Sequence, residues 1–210
     1  MREDYTLIKK RFLELAKKSY NSGIYTFTDF LGPSEQSAFF ELQRELSGIP
    51  YKLFGGAEGC ERVIVRFGSE ELCGYLEDFP ITPLICAPLS EKFAEKLTHR
   101  DFLGAILNLG IDRSVLGDIV IRDEGTYIFV KDGMADFICD GLDRVRRTSV
   151  RCKRSDTLPE GDLYKTREIR VQAVGERIDA IISKVFSISR DDASSLFAKG
   201  LVFISGRCCE

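Results

Sequence analysis

The sequence predicts an α+β chain of three units: a small N-terminal α/β domain over residues 1–71, a central ferredoxin-like plait over 72–154, and a C-terminal helix–helix–strand domain over 164–210. Three observations carry the prediction. Stretches with helical apolar spacing alternate with short β-rich runs along the chain. Between residues 72 and 154 these stretches follow the order β-α-β-β-α-β, which is the order of a plait. The C-terminal part is punctuated by helix caps and glycines, and it differs in charge from what precedes it.

In the N-terminal unit, Leu7, Ile8, Phe12, Leu15 and Ala16 fall on one face of a helix over Glu3–Tyr20, and Gly23 stops it. Ile24–Leu31 is β-rich, and Gly32-Pro33-Ser34 opens a second helix over Pro33–Leu46. Pro50–Phe54 and Arg62–Phe67 are strand candidates. The glycine cluster between them, Gly55-Gly56-Ala57-Glu58-Gly59, reads as a hairpin turn, because a phosphate cradle would have to open a helix and the strand Val63-Ile64-Val65 follows instead. In the central unit, Ile81–Leu89 is an apolar strand and Thr98–Leu109 a helix capped at Thr98. Gly117–Asp123 and Thr126–Lys131 pair around Glu124-Gly125, Gly133–Val145 is a second helix, and Val150–Lys153 is a last strand. Many RNA-recognition domains share this RRM-like order, although the aromatic stacking signature is missing from the sheet. Ser155–Asp162 is a polar linker, and Lys165–Val174 alternates like a strand. A helix follows from Arg177 with Ile178, Ile181, Ile182 and Val185 on its apolar face. Ser189 caps a second helix over Arg190–Lys199, Gly200 ends it, and Leu201–Ile204 is a strand before the turn Ser205-Gly206.

Residues 1–143 hold 16 Lys and Arg against 24 Asp and Glu, a net of −8, whereas residues 144–210 hold 14 against 9, a net of +5. A polyanionic partner is therefore expected to meet the second part. Its densest stretch is Arg144, Arg146, Arg147, Arg151, Lys153 and Arg154, with no acidic residue between 144 and 154. This run is expected at a helix end and linker, acting as a diffuse electrostatic patch with a steep salt dependence. The seven cysteines are scattered and form no C-x-x-C pair, which argues for small buried hydrophobes in a reducing cytosol rather than a zinc ribbon. The lone His99 has no nucleophile or ligand partner beside it and reads as structural, and the pairs Glu70-Glu71 and Glu77-Asp78 read as solvated loops. No apolar run approaches a membrane span, so a cytoplasmic location without a membrane partner is expected. No catalytic residue, metal site, cofactor or small-molecule substrate is predicted.

Two sets of motifs carry a resemblance. The pattern R-I-D-x-x-I … S-R-x-x-A-x-x-L-x-x-x-G-x-V-x-x-x-G-R, from Arg177 to Arg207, resembles the αL-motif RNA-binding domain named after small-subunit ribosomal protein S-four. Upstream, Leu97–Ala105, Leu109–Arg113, Gly117-Asp118-Ile119, Phe27–Leu31 and Phe54-Gly55-Gly56 resemble the bacterial YlmH family. That resemblance implies an N-terminal α/β domain, a central plait and an αL module that continues beyond Arg207, so this C-terminal domain reads as truncated at Glu210. It also implies binding to the large ribosomal subunit carrying peptidyl-tRNA, in ribosome-associated quality control, with a link to cell division. In an αL module, Arg177 and Arg190 at the two helix starts would project to one face, where helix N-termini favour phosphate, with Ser189 as the cap and Lys199 and Arg207 flanking the strand turn.

The expected function is thus a non-catalytic factor whose partners are RNA (large-subunit rRNA and tRNA) and the large ribosomal subunit. The alternative is an RNA-modifying enzyme of the pseudouridine synthase or methyltransferase type, or a subunit of one, since such enzymes also carry αL modules. The first would need its own catalytic Arg-Leu-Asp element, and the second a glycine-rich loop between strand and helix; the sequence displays neither.

Overall fold

The computed structural model describes residues 2–164, 167–172, 175–204 and 207–209. It forms two compact units, Met1–Tyr164 and Lys165–Glu210. The boundary expected between residues 71 and 72 falls inside the first unit, where two sheets pack together.

The first sheet is built from α1 (Arg2–Ser22), β1 (Thr26–Phe27), α2 (Pro33–Phe40), β2 (Tyr51–Phe54) and β3 (Ile64–Phe67). Its strands are antiparallel in the order β1-β3-β2, with Thr26 opposite Phe67 and Lys52 opposite Arg66. The apolar stripe of α1 delivers Phe12, Leu15 and Ala16 to one core with Phe39 of α2 and Val65 and Phe67 of β3. Phe39 is the hub: its ring lies 5.6 Å from Phe12, 5.0 Å from Tyr51 and 6.0 Å from Phe67. The helix expected over Pro33–Leu46 ends at Phe40 and continues as turns to Gly48, which still bury Leu42 and Leu46. Glu70 and Glu71, expected in a loop, open the one-turn helix α3 (Glu70–Cys73), whose start is capped by the Ser69 hydroxyl.

The second sheet is antiparallel and five-stranded. It contains β4 (Ile81–Pro88), β5 (Leu116–Arg122), β6 (Gly125–Lys131), β7 (Arg144–Val145) and β8 (Thr148–Arg154), in the order β5-β6-β4-β8-β7. With α4 (His99–Leu107) between β4 and β5 and α5 (Ala135–Gly141) after β6, the first four strands in that order have the connectivity of a βαββαβ plait, and β7 is added at one edge. Both helices cover one face, burying Phe102, Ile106 and Ile138 against Leu84, Ile128, Val145, Val150 and Cys152.

Two expectations are corrected here. The helix read over Gly133–Val145 stops at Gly141, after which Leu142 turns the chain with φ −90° and ψ 80°. Arg144 and Val145 then pair with Ser149 and Thr148, so the basic run lies on a β-hairpin and not at a helix end and linker. The physical cause is alternation: Thr148, Val150 and Cys152 are buried, while Ser149, Arg151 and Lys153 are exposed, which is the period of a half-buried strand. In the second unit, residues 167–172 of the expected strand Lys165–Val174 have no regular structure, because alternation alone provides no strand to pair with; 165, 166, 173 and 174 lie outside the described residues.

The other face of the five-stranded sheet is closed by the small sheet. Phe30, Ala57 and Ile64 pack on Val120, Tyr127 and Phe129, with Leu163 completing the cluster. A polar clasp fixes this contact. Asp118, 4% exposed, accepts the backbone N–H of Glu61 at 2.5 Å and of Arg62 at 3.2 Å. The Arg62 guanidinium in turn donates to the carbonyls of Leu116 (2.8 Å), Phe30 (2.9 Å) and Arg113 (3.2 Å). Burial lowers the Arg62 pKa, and the Glu35 and Asp118 carboxylates oppose that shift. The glycine turn between β2 and β3 is a hairpin connection that takes part in the packing. Gly56 sits at φ +105°, and a Cβ there would lie 2.4 Å from the Phe129 ring.

Gly56→Ala therefore forces both a left-handed backbone on a residue with a Cβ and a displacement of Phe129. It is expected to cost about 3 kcal/mol in urea unfolding. Gly133→Ala, which meets nothing within 4 Å, is expected to change stability by less than about 0.5 kcal/mol. Equal midpoints for the two variants would refute the close approach.

Candidate nucleic-acid interface

The six basic residues of 144–154 divide by geometry. Arg144 opens β7, the short edge strand, and is exposed. Val145 faces Thr148 directly, so Arg146 and Arg147 form a two-residue turn at the hairpin tip. Arg146 takes the left-handed conformation, φ 54°, where glycine or asparagine is usual. Its guanidinium lies 3.7 Å from Glu95 and 3.6 Å from Asp101, contacts that hold the strained residue in place. Asp101 is itself part of a capping box: it accepts from Thr98 N at 2.8 Å and Thr98 Oγ1 at 2.7 Å, and these bonds, with Arg146, keep its carboxyl below the ordinary range. The helix expected to be capped at Thr98 is therefore capped there, and His99 is its first residue. Arg147, Arg151 and Lys153 are exposed and form no ion pair with another of the described residues; on β8, Arg151 stands opposite Ala87 and Lys153 opposite Ile85. Arg154 is engaged, 2.9 Å from Asp136, and also donates to Thr82.

An RRM-type plait would meet bases with aromatic rings at the centre of its sheet. Here the rings available on β6, Tyr127 and Phe129, are 4% and 0% exposed beneath the small sheet. What the sheet leaves open to a polyanion is its β8–β7 side, where the basic run lies.

The second unit contains α6 (Ile178–Phe186), α7 (Arg190–Ala198), β9 (Phe203–Ile204) and β10 (Arg207–Cys208), the strands pairing antiparallel. Ser187 ends α6 in the left-handed conformation, φ 54°. Arg177 precedes α6 and grips Asp179 with two nitrogens, at 3.0 and 3.1 Å. The hydrogen bonds from Arg177, then the Ala180 backbone and the charges of Arg177 and Arg190, hold the Asp179 carboxyl below its ordinary pKa. Ser189 is the N-cap of α7: its hydroxyl accepts from Asp192 N at 3.0 Å and donates to the Asp192 carboxylate at 2.6 Å. The expectation that helix N-termini favour phosphate meets a local correction here, because Asp191 and Asp192 already place negative charge in the first turn of α7. That leaves the Arg190 side chain, exposed at the first position of α7, as the group able to meet an anion there. Lys199 is exposed at the C-cap of α7. Arg207 has its backbone on β10, opposite Ile204, while the turn Ser205-Gly206 lies outside the described residues.

Burial and neighbouring thiols raise Cys139 to about 12, hydrogen bonding to Cys86 and then burial raise Cys152, and burial raises Cys60 to about 12. Burial and Asp118 likewise raise the Tyr164 hydroxyl. Among the described residues, no group of three or more His, Cys, Asp or Glu could hold a metal, and no helix is long and apolar enough to cross a membrane.

The Arg177–Asp179 pair has a pH signature. A carboxylate with a depressed pKa contributes stability above its ordinary value and loses it as pH falls through the depressed one. In a carbon-detected titration, Arg177→Ala is expected to move the Asp179 midpoint upward toward the ordinary carboxylate range. An unmoved midpoint would show that the pair does not form in solution.

Comparison with known proteins agrees with the motifs. Residues 76–158 match the family described as "Putative RNA-binding domain in YlmH". The chain is 26% identical over 191 residues to "Ribosome-associated protein quality control protein P2" of Bacillus subtilis (strain 168), covering 87% of this chain and 70% of that protein. It also superposes on "Cell division protein ylmH from Streptococcus pneumoniae" with a TM-score of 0.57 and 25% identity, covering 72% of this chain and 91% of that one. Motifs, family model, relative and solved structure agree in likening the chain to the YlmH family, and its five-stranded plait lies in the segment, residues 76–158, that matches that family's RNA-binding domain.

Proposed function

We propose that this chain is a non-catalytic factor that binds structured RNA of the large ribosomal subunit, together with tRNA, in ribosome-associated quality control of stalled peptidyl-tRNA complexes. The observation that carries the reading is the coincidence of the matched RNA-binding segment, residues 76–158, with the exposed basic hairpin 144–154. The relative in Bacillus subtilis, named for ribosome-associated quality control, supports the setting. The C-terminal unit supports it in a second way: Arg177 pairs with Asp179 at the start of α6 and Arg190 opens the adjacent α7, in the segment that resembles an αL module. A non-catalytic role is supported by the commitment of the buried Asp118 carboxylate to the backbone N–H groups of Glu61 and Arg62.

The two surfaces are expected to contribute differently. Arg190 is fixed by a capped helix start, so its geometry suits a specific contact. In co-sedimentation of the full chain with large ribosomal subunits, Arg190→Ala is expected to weaken binding by about 1–3 kcal/mol. Arg147→Ala or Lys153→Ala is expected to cost less and to lower the slope of affinity against salt by about one ion. If the wild-type chain stays in the supernatant at low salt, the ribosomal reading fails. If Arg190→Ala sediments like wild type while Arg147→Ala does not, the recognition surface lies in the first unit.

A further inference from the structure

The first unit has a cleft of about 530 Å³ between α4 and the start of the basic hairpin. Its volume lies within the range of sites that enclose a small ligand, roughly 300–1,000 Å³. Arg100, Gly104 and Asn108 line one wall, spaced four residues apart on a single face of the helical stretch, and Asp143, Arg144 and Arg146 line the other. Arg146 is committed to Glu95 and Asp101. Arg100 and Arg144 are both exposed and form no ion pair with another of the described residues. Gly104 keeps the helix wall bare, since a Cβ built there meets nothing within 4 Å. A second cleft of the same unit, about 380 Å³, is lined by Glu91, Glu95, Asp123 and Glu124 against Lys96 and Arg122, a balance that repels a polyanion.

We propose that the cleft between α4 and the 144–154 hairpin receives one unpaired nucleotide of a bound RNA. Arg100 and Arg144 take the flanking phosphates, and the Asn108 amide and Asp143 carboxylate meet the edge of the base. This assignment rests on the RNA-binding reading above and deepens it by naming the kind of RNA that the central segment takes. Three features favour an unpaired nucleotide over a duplex. The cleft is concave, and a base must leave its stack to enter it. Its lining includes the apolar side chains of Leu109 and Leu142 beside the hydrogen-bonding groups of Asn108 and Asp143. The aromatic centre of the sheet, the other place where a plait could take bases, is buried.

The test uses the full chain and a short fluorescently labelled single-stranded RNA of mixed sequence, read by anisotropy beside the same strand annealed to its complement. Gly104→Leu fills the cleft without changing a charge, on an exposed helix position with open space around it. Gly104→Leu and Arg144→Ala are each expected to weaken single-strand binding by about tenfold or more, with circular dichroism unchanged. Arg151→Ala, which removes an equal charge outside the cleft, is expected to weaken it by less than about threefold. Wild-type affinity in Gly104→Leu, or a wild-type preference for the duplex, overturns the cleft assignment. Binding to ribosomal subunits that survives alongside such a result, or alongside failure of the wild-type chain to bind either probe, overturns the cleft assignment alone, whereas loss of binding to the subunits as well removes both.

Discussion

Asp118 is the constraint on which the rest of the first unit depends. It is a buried carboxylate on the strand β5, and it is satisfied by the N–H groups of Glu61 and Arg62 from the other sheet. Arg62 returns the contact by donating to Phe30, Arg113 and Leu116. A buried charge that loses its partners costs several kcal/mol, so the two sheets are held in one relation. Polar groups thereby specify a register that the apolar contacts of Phe30, Ile64 and Phe129 would leave free to slide. The clasp also decides where nucleic acid can go. By holding the small sheet over Tyr127 and Phe129, it converts the aromatic centre of a plait into core. Binding then falls to the β8–β7 side, where alternation along Thr148–Arg154 puts apolar groups inward and cations outward.

Much of this was legible in the sequence, and for identifiable reasons. The spacing of Phe12, Leu15 and Ala16 announced α1, and Glu124-Gly125 between two β-rich runs announced the hairpin of β5 and β6. Ser189 followed by a polar first turn marked α7. The hairpin at 144–154 was hidden because Phe137 to Val145 carries enough apolar residues to prolong a helix on paper, and because six cations obscure the period-two pattern of Thr148, Val150 and Cys152. That pattern was the signal that could have revealed it. The clasp was hidden for a different reason. A lone Asp in the apolar run Leu116–Ile121 declares that it needs a partner, but not that the partner is a backbone turn 57 residues earlier. The cleft is assembled from residues 100–109 and 141–146, so no single stretch of sequence displays it.

Within the candidate site, charge counting and geometry part company. Counted by sequence, six cations of 144–154 are equivalent. In the structure Arg154 is spoken for by Asp136, and Arg146 by Glu95 and Asp101, leaving Arg144, Arg147, Arg151 and Lys153 with their charge toward solvent. The engaged pair still matters, because Arg146 in its left-handed conformation shapes the tip that presents Arg147.

The closeness of the two sheets restricts how this sequence can drift. A side chain at Gly117 would strike the Phe30 ring at 2.7 Å, and one at Gly56 would strike Phe129 at 2.4 Å. Each glycine is thus matched to an aromatic residue on the opposite segment, and neither can enlarge unless its counterpart shrinks. Homologues should therefore change positions 30 and 117 together, and 56 and 129 together, so that residues 1–71 and 72–154 evolve as one inheritance and do not exchange freely with segments from other folds.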